Sequence, residues 1–98
     1  MNAVERVRQN AIQAGRFAGP DDLPFQVVHS DYHHAKTKHG HRSRYVLRVE
    51  EIHSMTPRTS YVEVICEYHP EEGINSPDEW LFYEVEPKIV TETKYVRK

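Results

Sequence analysis

SYVEVICEYH, residues 60–69, alternates with a period of two. Val62, Val64, Cys66 and Tyr68 fall on one side, and Glu63, Glu67 and His69 on the other. That period belongs to a strand with one face buried and one face wet. Upstream, RYVLRVEEIHSM (44–55) sets Tyr45, Leu47 and Val49 against Arg48 and Glu50. Ile52 breaks the alternation, which predicts a bulge or bend near Glu50–Glu51. TPRT (56–59), between the two, has the residues of a turn.

The pattern continues outward. FQVVHSDY (25–32) reads as a first strand, EWLFYEVE (79–86) as a fourth that Pro87 interrupts or ends, and KIVTETKYVRK (88–98) as a fifth strand or a strand-like tail. PEEGINSPD (70–78) reads as a loop. At the start of the chain, Val4, Val7, Ala11 and Ala14 recur at helical spacing, so residues 3–16 are predicted to form a helix, closed by Gly15 and Gly19–Pro20. Residues 1–98 are therefore expected to form one α+β domain. It has an N-terminal helix on a four- or five-stranded antiparallel meander sheet (25–98) and a long basic hairpin arm.

Width raises the next question. Five strands make a sheet about 24 Å across, whereas one helix is about 10 Å wide. The stretch WLFY places Trp80 and Phe82 on one face and Leu81 and Tyr83 on the other. A single alanine-lined helix cannot shield both. Either the sheet curls strongly, or a second copy or another protein covers the rest. Trp80, Leu81, Phe82 and Tyr83 are the expected interface residues.

The remaining candidate site is a run of histidine and base. Five of the seven histidines (His29, His33, His34, His39 and His41) lie within residues 29–41. Residues 29–44 also hold Lys36, Lys38, Arg42 and Arg44 against one acid, Asp31. The rest of the chain has nine basic and fourteen acidic side chains, so a mildly acidic body carries a basic arm. His33, His34, Lys36, Lys38, His39, His41, Arg42 and Arg44 are the expected binding residues of that arm. It can meet the acidic surface of a neighbouring protein, where Glu63, Glu67, Glu71 and Glu72 cluster in sequence. It can also lie along a nucleic-acid backbone, with Tyr32 and Tyr45 stacking on bases. A charged loop that binds nothing is the plain alternative.

Zinc needs three or four tetrahedral ligands. A hairpin pairing His34 with His39 would put His34, His39, His41 and Tyr32 on one face. A register shifted by one would bring His29, Asp31 and His33 beside His39 and His41. The spacing in HHAKTKHGH fits no zinc motif, and its two lysines repel a cation, so no metal and no other cofactor is expected.

No nucleophile elbow, phosphate loop or HExxH motif is present, and Cys66 alternates with core valines. Glu63 and Glu67 read as ion-pair partners of Arg48 and Arg58 rather than as an acid–base pair. RYVLRVEE followed by YVEVICEYH resembles the central hairpin of RelE-like toxins, which are metal-independent ribonucleases. The two-helix segment of that family has no counterpart before the hairpin, and no catalytic residue is carried over. The N-terminus has Glu5, Arg6 and Arg8 where a secretion signal needs apolar residues, and a lone cysteine suits a reducing setting. The expectation is a cytoplasmic or virion-borne subunit, without a membrane span, that acts by binding protein. It would belong to a viral or other assembly, or would inhibit one. Nucleic-acid binding or ribonuclease action through 33–44 is the alternative.

Overall fold

A computed structural model describes the chain except residues 1, 16, 17, 38, 39, 54, 55, 70, 72 and 90–92. Of the remainder, the side chains of 32–37, 40, 41, 52, 53, 56, 88, 89, 93 and 94 are also outside the description. Helix α1 spans Ala3–Ala14, and the strands are β1 (Gln26–Thr37), β2 (Gly40–His53), β3 (Thr56–His69), β4 (Gly73–Ile74), β5 (Leu81–Ile89) and β6 (Thr93–Arg97). Among the described residues they form one six-stranded antiparallel sheet. Its order is β1-β2-β3-β5-β6, and the short β4 pairs with the end of β3.

The helix starts where its cap dictates. Asn2 accepts the backbone N–H of Glu5 at 2.8 Å, and Glu5 puts negative charge on the first turn. Gly15, at φ +95°, supplies the left-handed backbone that ends it. Ala3, Val7 and Ala11 are buried, and these small side chains let the helix lie close to the sheet. They pack with Leu23, Leu47, Val49, Val62, Val64, Cys66, Trp80 and Phe82. Each valine or leucine removed from water here contributes about 1.5–3 kcal/mol.

Helix and curl together answer the question of width. The helix covers Trp80 and Phe82, which are 4% and 8% exposed. Trp80 also donates its indole N–H to the Asn75 carbonyl at 2.9 Å. These two rings are core residues of the folded chain and are not available to a partner, so the interface expected of 80–83 narrows to Leu81 and Tyr83. On the other face, β3 and β5 part company after the Tyr61–Val85 pair, and β5 runs on with β6 alone. That hairpin swings across the sheet. The Tyr95 carbonyl of β6 accepts from Arg44 Nη2 of β2 at 2.8 Å, and the Tyr95 ring lies 6.2 Å from that of His29 on β1. Both contacts span strands that lie between β6 and its partners in sheet order. Val46, Val85 and Glu63 are buried on this curled face.

Several boundaries differ from the sequence reading. Residues 56–59 belong to β3, which begins at Thr56, while β2 ends at His53. Pro57 is tolerated because β3 is paired on one side only until Tyr61. Pro87 likewise sits inside β5, beyond the end of β3 pairing, opposite Tyr95. The β2–β3 register runs unbroken through Glu50–Glu51, so no bulge is present there. The bulge is in β1, between Val27 and His29. Glu79 and Trp80, expected to open the fourth strand, precede it: Glu79 closes a 3-10 turn (Pro77–Glu79) and β5 begins at Leu81.

Candidate functional site

The face away from the helix brings together side chains from five strands. Strand pairing sets which ones. Asp31 lies opposite Arg44, and Arg42 opposite both His33 and Glu67. Glu63 lies opposite Val46 on one side and Tyr83 on the other. Glu63 is 4% exposed and accepts from Arg44 Nε through Oε2, and from Arg97 Nε and Nη2 at 3.3 Å through Oε1. Arg44 reaches on to Asp31 Oδ2 at 3.7 Å, and Asp31 pairs with His29 Nε2 at 2.7 Å. The Arg97 guanidinium stacks 3.7 Å over the Tyr83 ring. Tyr61 and Tyr95 face each other at 5.5 Å. The sequence reading gave Glu63 and Glu67 to Arg48 and Arg58. Instead Arg48 pairs with Glu50 at 3.1 Å and Arg58 approaches Glu84 at 3.9 Å.

Beyond this network, at the β4 end of the same face, lies a groove of about 270 Å³ lined by Arg42, Ile65, Glu67, Asn75, Glu79 and Leu81. Its wall is held by Asn75, whose side chain accepts from Glu67 N–H at 2.9 Å and whose own N–H donates to Glu67 O at 2.8 Å. Leu81 is 45% exposed there, an apolar side chain left open to water. Arg42 and Glu67 face each other at 3.4 Å across the groove.

Of the expected arm residues, Arg42 and Arg44 are described, and both are ion-paired within the chain. The side chains of His33, His34, Lys36, Lys38, His39 and His41 lie outside the described residues. The backbone register places Thr37 opposite Gly40 and His33 opposite Arg42, and the two registers considered for metal binding turn on His39 and on side chains that lie outside the described residues. Among the described residues no group of three or more His, Cys, Asp or Glu side chains is placed to hold a metal ion. No protein-family model, curated protein or solved structure matches the chain. No helix among the described residues is long and apolar enough to cross a membrane.

Chemically, the carboxylate-held imidazole of His29 is half of an acid–base pair. A reaction centre needs a nucleophile and a substrate pocket as well. Cys66, the one thiol, lies on the helix side of the sheet, and burial, with the nearby Asp21 charge, pushes its pKa up to about 11. The groove opens at Leu81 of β5, three strands from His29 on β1 in sheet order, and His29 does not line it. The sequence reading missed the Arg44–Glu63–Arg97 network. Its only sequence signal was an acid at position 63 inside an otherwise apolar strand centre.

Proposed function

We propose that this chain is a non-catalytic protein-interaction subunit that docks through the groove at Leu81, with the basic β1–β2 hairpin beside it. The observation that carries this reading is the exposure of Leu81 in a formed groove, when the helix and the curled sheet already bury the other bulky groups of 80–82. Exposed apolar side chains in a concavity rimmed by charge suit protein contact. Nucleic-acid binding is less well supported. Arg42 and Arg44, the described cations of the basic segment, are engaged by Glu67, Glu63 and Asp31, and a phosphate would have to displace those carboxylates.

The test is the native mass of the particle that holds the chain in extracts of its source. A mass above 11.6 kDa that falls when Leu81 is replaced by Asp is the expected result. Migration at the mass of one chain would overturn the reading. So would a heavier particle that nuclease treatment reduces and Leu81→Asp leaves alone.

A further inference from the structure

The groove at Leu81 offers three kinds of contact, and each selects something in an occupant. Its apolar part is Leu81 with Ile65, which stand opposite each other on β5 and β3. Its neutral polar part is Asn75. The side-chain oxygen of Asn75 is taken by the Glu67 N–H, so the Nδ2 amide is a donor left without an acceptor among the described residues. Its charged part is Arg42, Glu67 and Glu79. Arg42 and Glu67 neutralise each other at 3.4 Å. Glu79 is exposed at the end of its 3-10 turn and has no ion pair among the described residues. Asp78 beside it, and Glu71 on the turn between β3 and β4, are exposed and unpaired in the same sense. Among the described residues the lining therefore holds no uncompensated cation and an uncompensated carboxylate at Glu79, with further acids next to it.

Size and sign narrow the occupant. A volume of about 270 Å³ is below the roughly 300–1,000 Å³ of small-molecule and cofactor sites, and suits one or two side chains. The surplus negative charge repels phosphate, which sets nucleic acid aside. A spare amide donor calls for a carbonyl, which every peptide bond supplies. We infer that the groove takes a basic, extended segment of a partner protein. One aliphatic side chain of that segment covers Leu81 and Ile65, a backbone carbonyl accepts from Asn75 Nδ2, and a flanking lysine or arginine meets Glu79. This inference rests on the interaction reading above and names the chemistry of its partner. The charge decides which segment is accepted, and the apolar contact decides how tightly it is held.

The experiment is a nuclear magnetic resonance titration of the isotopically labelled full chain with three end-capped peptides: Lys-Lys-Leu-Lys-Lys, Lys-Lys-Ser-Lys-Lys and Glu-Glu-Leu-Glu-Glu. The first is expected to shift the Leu81 and Ile65 methyl signals and the Asn75 Nδ2 signal saturably. Replacing its leucine by serine should weaken binding at least about tenfold, since that side chain is the one removed from water. The acidic peptide should also bind at least about tenfold more weakly. Glu79 is exposed on a turn, so Glu79→Lys should leave the fold intact, and an unshifted Trp80 indole signal checks that it does. This variant should bind Lys-Lys-Leu-Lys-Lys at least about threefold more weakly and Glu-Glu-Leu-Glu-Glu more tightly. No saturable shift with the first peptide, equal binding of all three, or a preference indifferent to Glu79→Lys overturns the inference. So do groove signals that move with the concentration of the chain alone, because the occupant is then a second copy. If the peptides fail while Leu81→Asp still lowers the mass of the native particle, the interaction reading stands with a partner of other chemistry. If Leu81→Asp leaves that mass unchanged, the interaction reading falls as well.

Discussion

Replacing Glu63 by Gln tests whether the curled face is held by charge. The carboxylate is almost wholly buried and takes hydrogen bonds from two arginines. Gln has the same shape but only one accepting oxygen, so its amide N–H₂ must face one of the guanidinium donors. Arg44 is then the group left short, since its side chain is only 21% exposed. Breaking a buried ion pair from one side costs about 3–5 kcal/mol, because the surviving charge stays desolvated. Asp31 and the Tyr95 carbonyl still serve Arg44, which puts the expectation at about 3 kcal/mol. In a domain of this size that is roughly a 12–24 °C fall in Tm. Arg97→Ala removes the other partner, but that side chain is 54% exposed and solvent screens its charge, so the loss should be about 1 kcal/mol or less. Urea unfolding followed by circular dichroism supplies both numbers. The double variant Glu63→Leu with Arg44→Met should recover part of the Glu63→Gln loss, because no buried charge is then orphaned. The reasoning fails if Glu63→Gln costs under about 0.5 kcal/mol, or if Arg97→Ala costs as much.

Other consequences are local. The unfolded Cys66 thiol ionises near 9.0 while the folded one keeps its proton to about 11, so unfolding releases a proton between those values. The stability contribution is intact below pH 9 and falls by about 1.4 kcal/mol per pH unit above it; urea midpoints of Cys66→Ala should decline less steeply than those of wild type over that range. A thiol reagent at pH 8 should label Cys66 slowly in the folded chain and quickly in urea. Glu51 is 8% exposed and its carboxylate has no hydrogen bond or ion pair among the described residues, so Glu51→Leu should leave stability unchanged or raise it by about 1 kcal/mol. A clear loss in urea unfolding would show that the carboxylate has a partner. Asn2→Ala should cost about 1 kcal/mol in the same assay by uncapping α1.

The layout was legible wherever side chains alternate between water and core. Residues 60–69 and 44–53 show a period of two because one face meets α1, and both are strands. The strand ends were not legible. Residues 33–37 and 40–43 have no apolar alternation, and what extends β1 and β2 through them is backbone pairing, which leaves no period in the sequence. At Pro57 and Pro87 the turn-forming signal was real but unopposed, because each residue is paired on only one side.

The candidate site was harder to read than the fold, for a reason that lies in the register. Glu63, Arg44 and Arg97 are distant in sequence, and only the exact β2–β3 pairing and the swing of β5–β6 bring them together. A shift of one residue in β2 would turn Arg44 to the helix side and leave Glu63 buried without it. The network and the register therefore stabilise each other. The carboxylate is tolerated in a buried position because the pairing delivers two arginines, and the pairing is favoured over its neighbours because any slip strands that charge. The same reasoning separates Leu81 from Phe82. Their hydrophobicity is alike, and strand parity alone sends Phe82 to the helix and Leu81 to the groove. The width comparison foresaw that one of the two sets of bulky groups would escape the helix. It named curling as one way to cover the second set, but could not foresee that curling would leave Leu81 exposed in a groove between Arg42, Glu67 and Glu79.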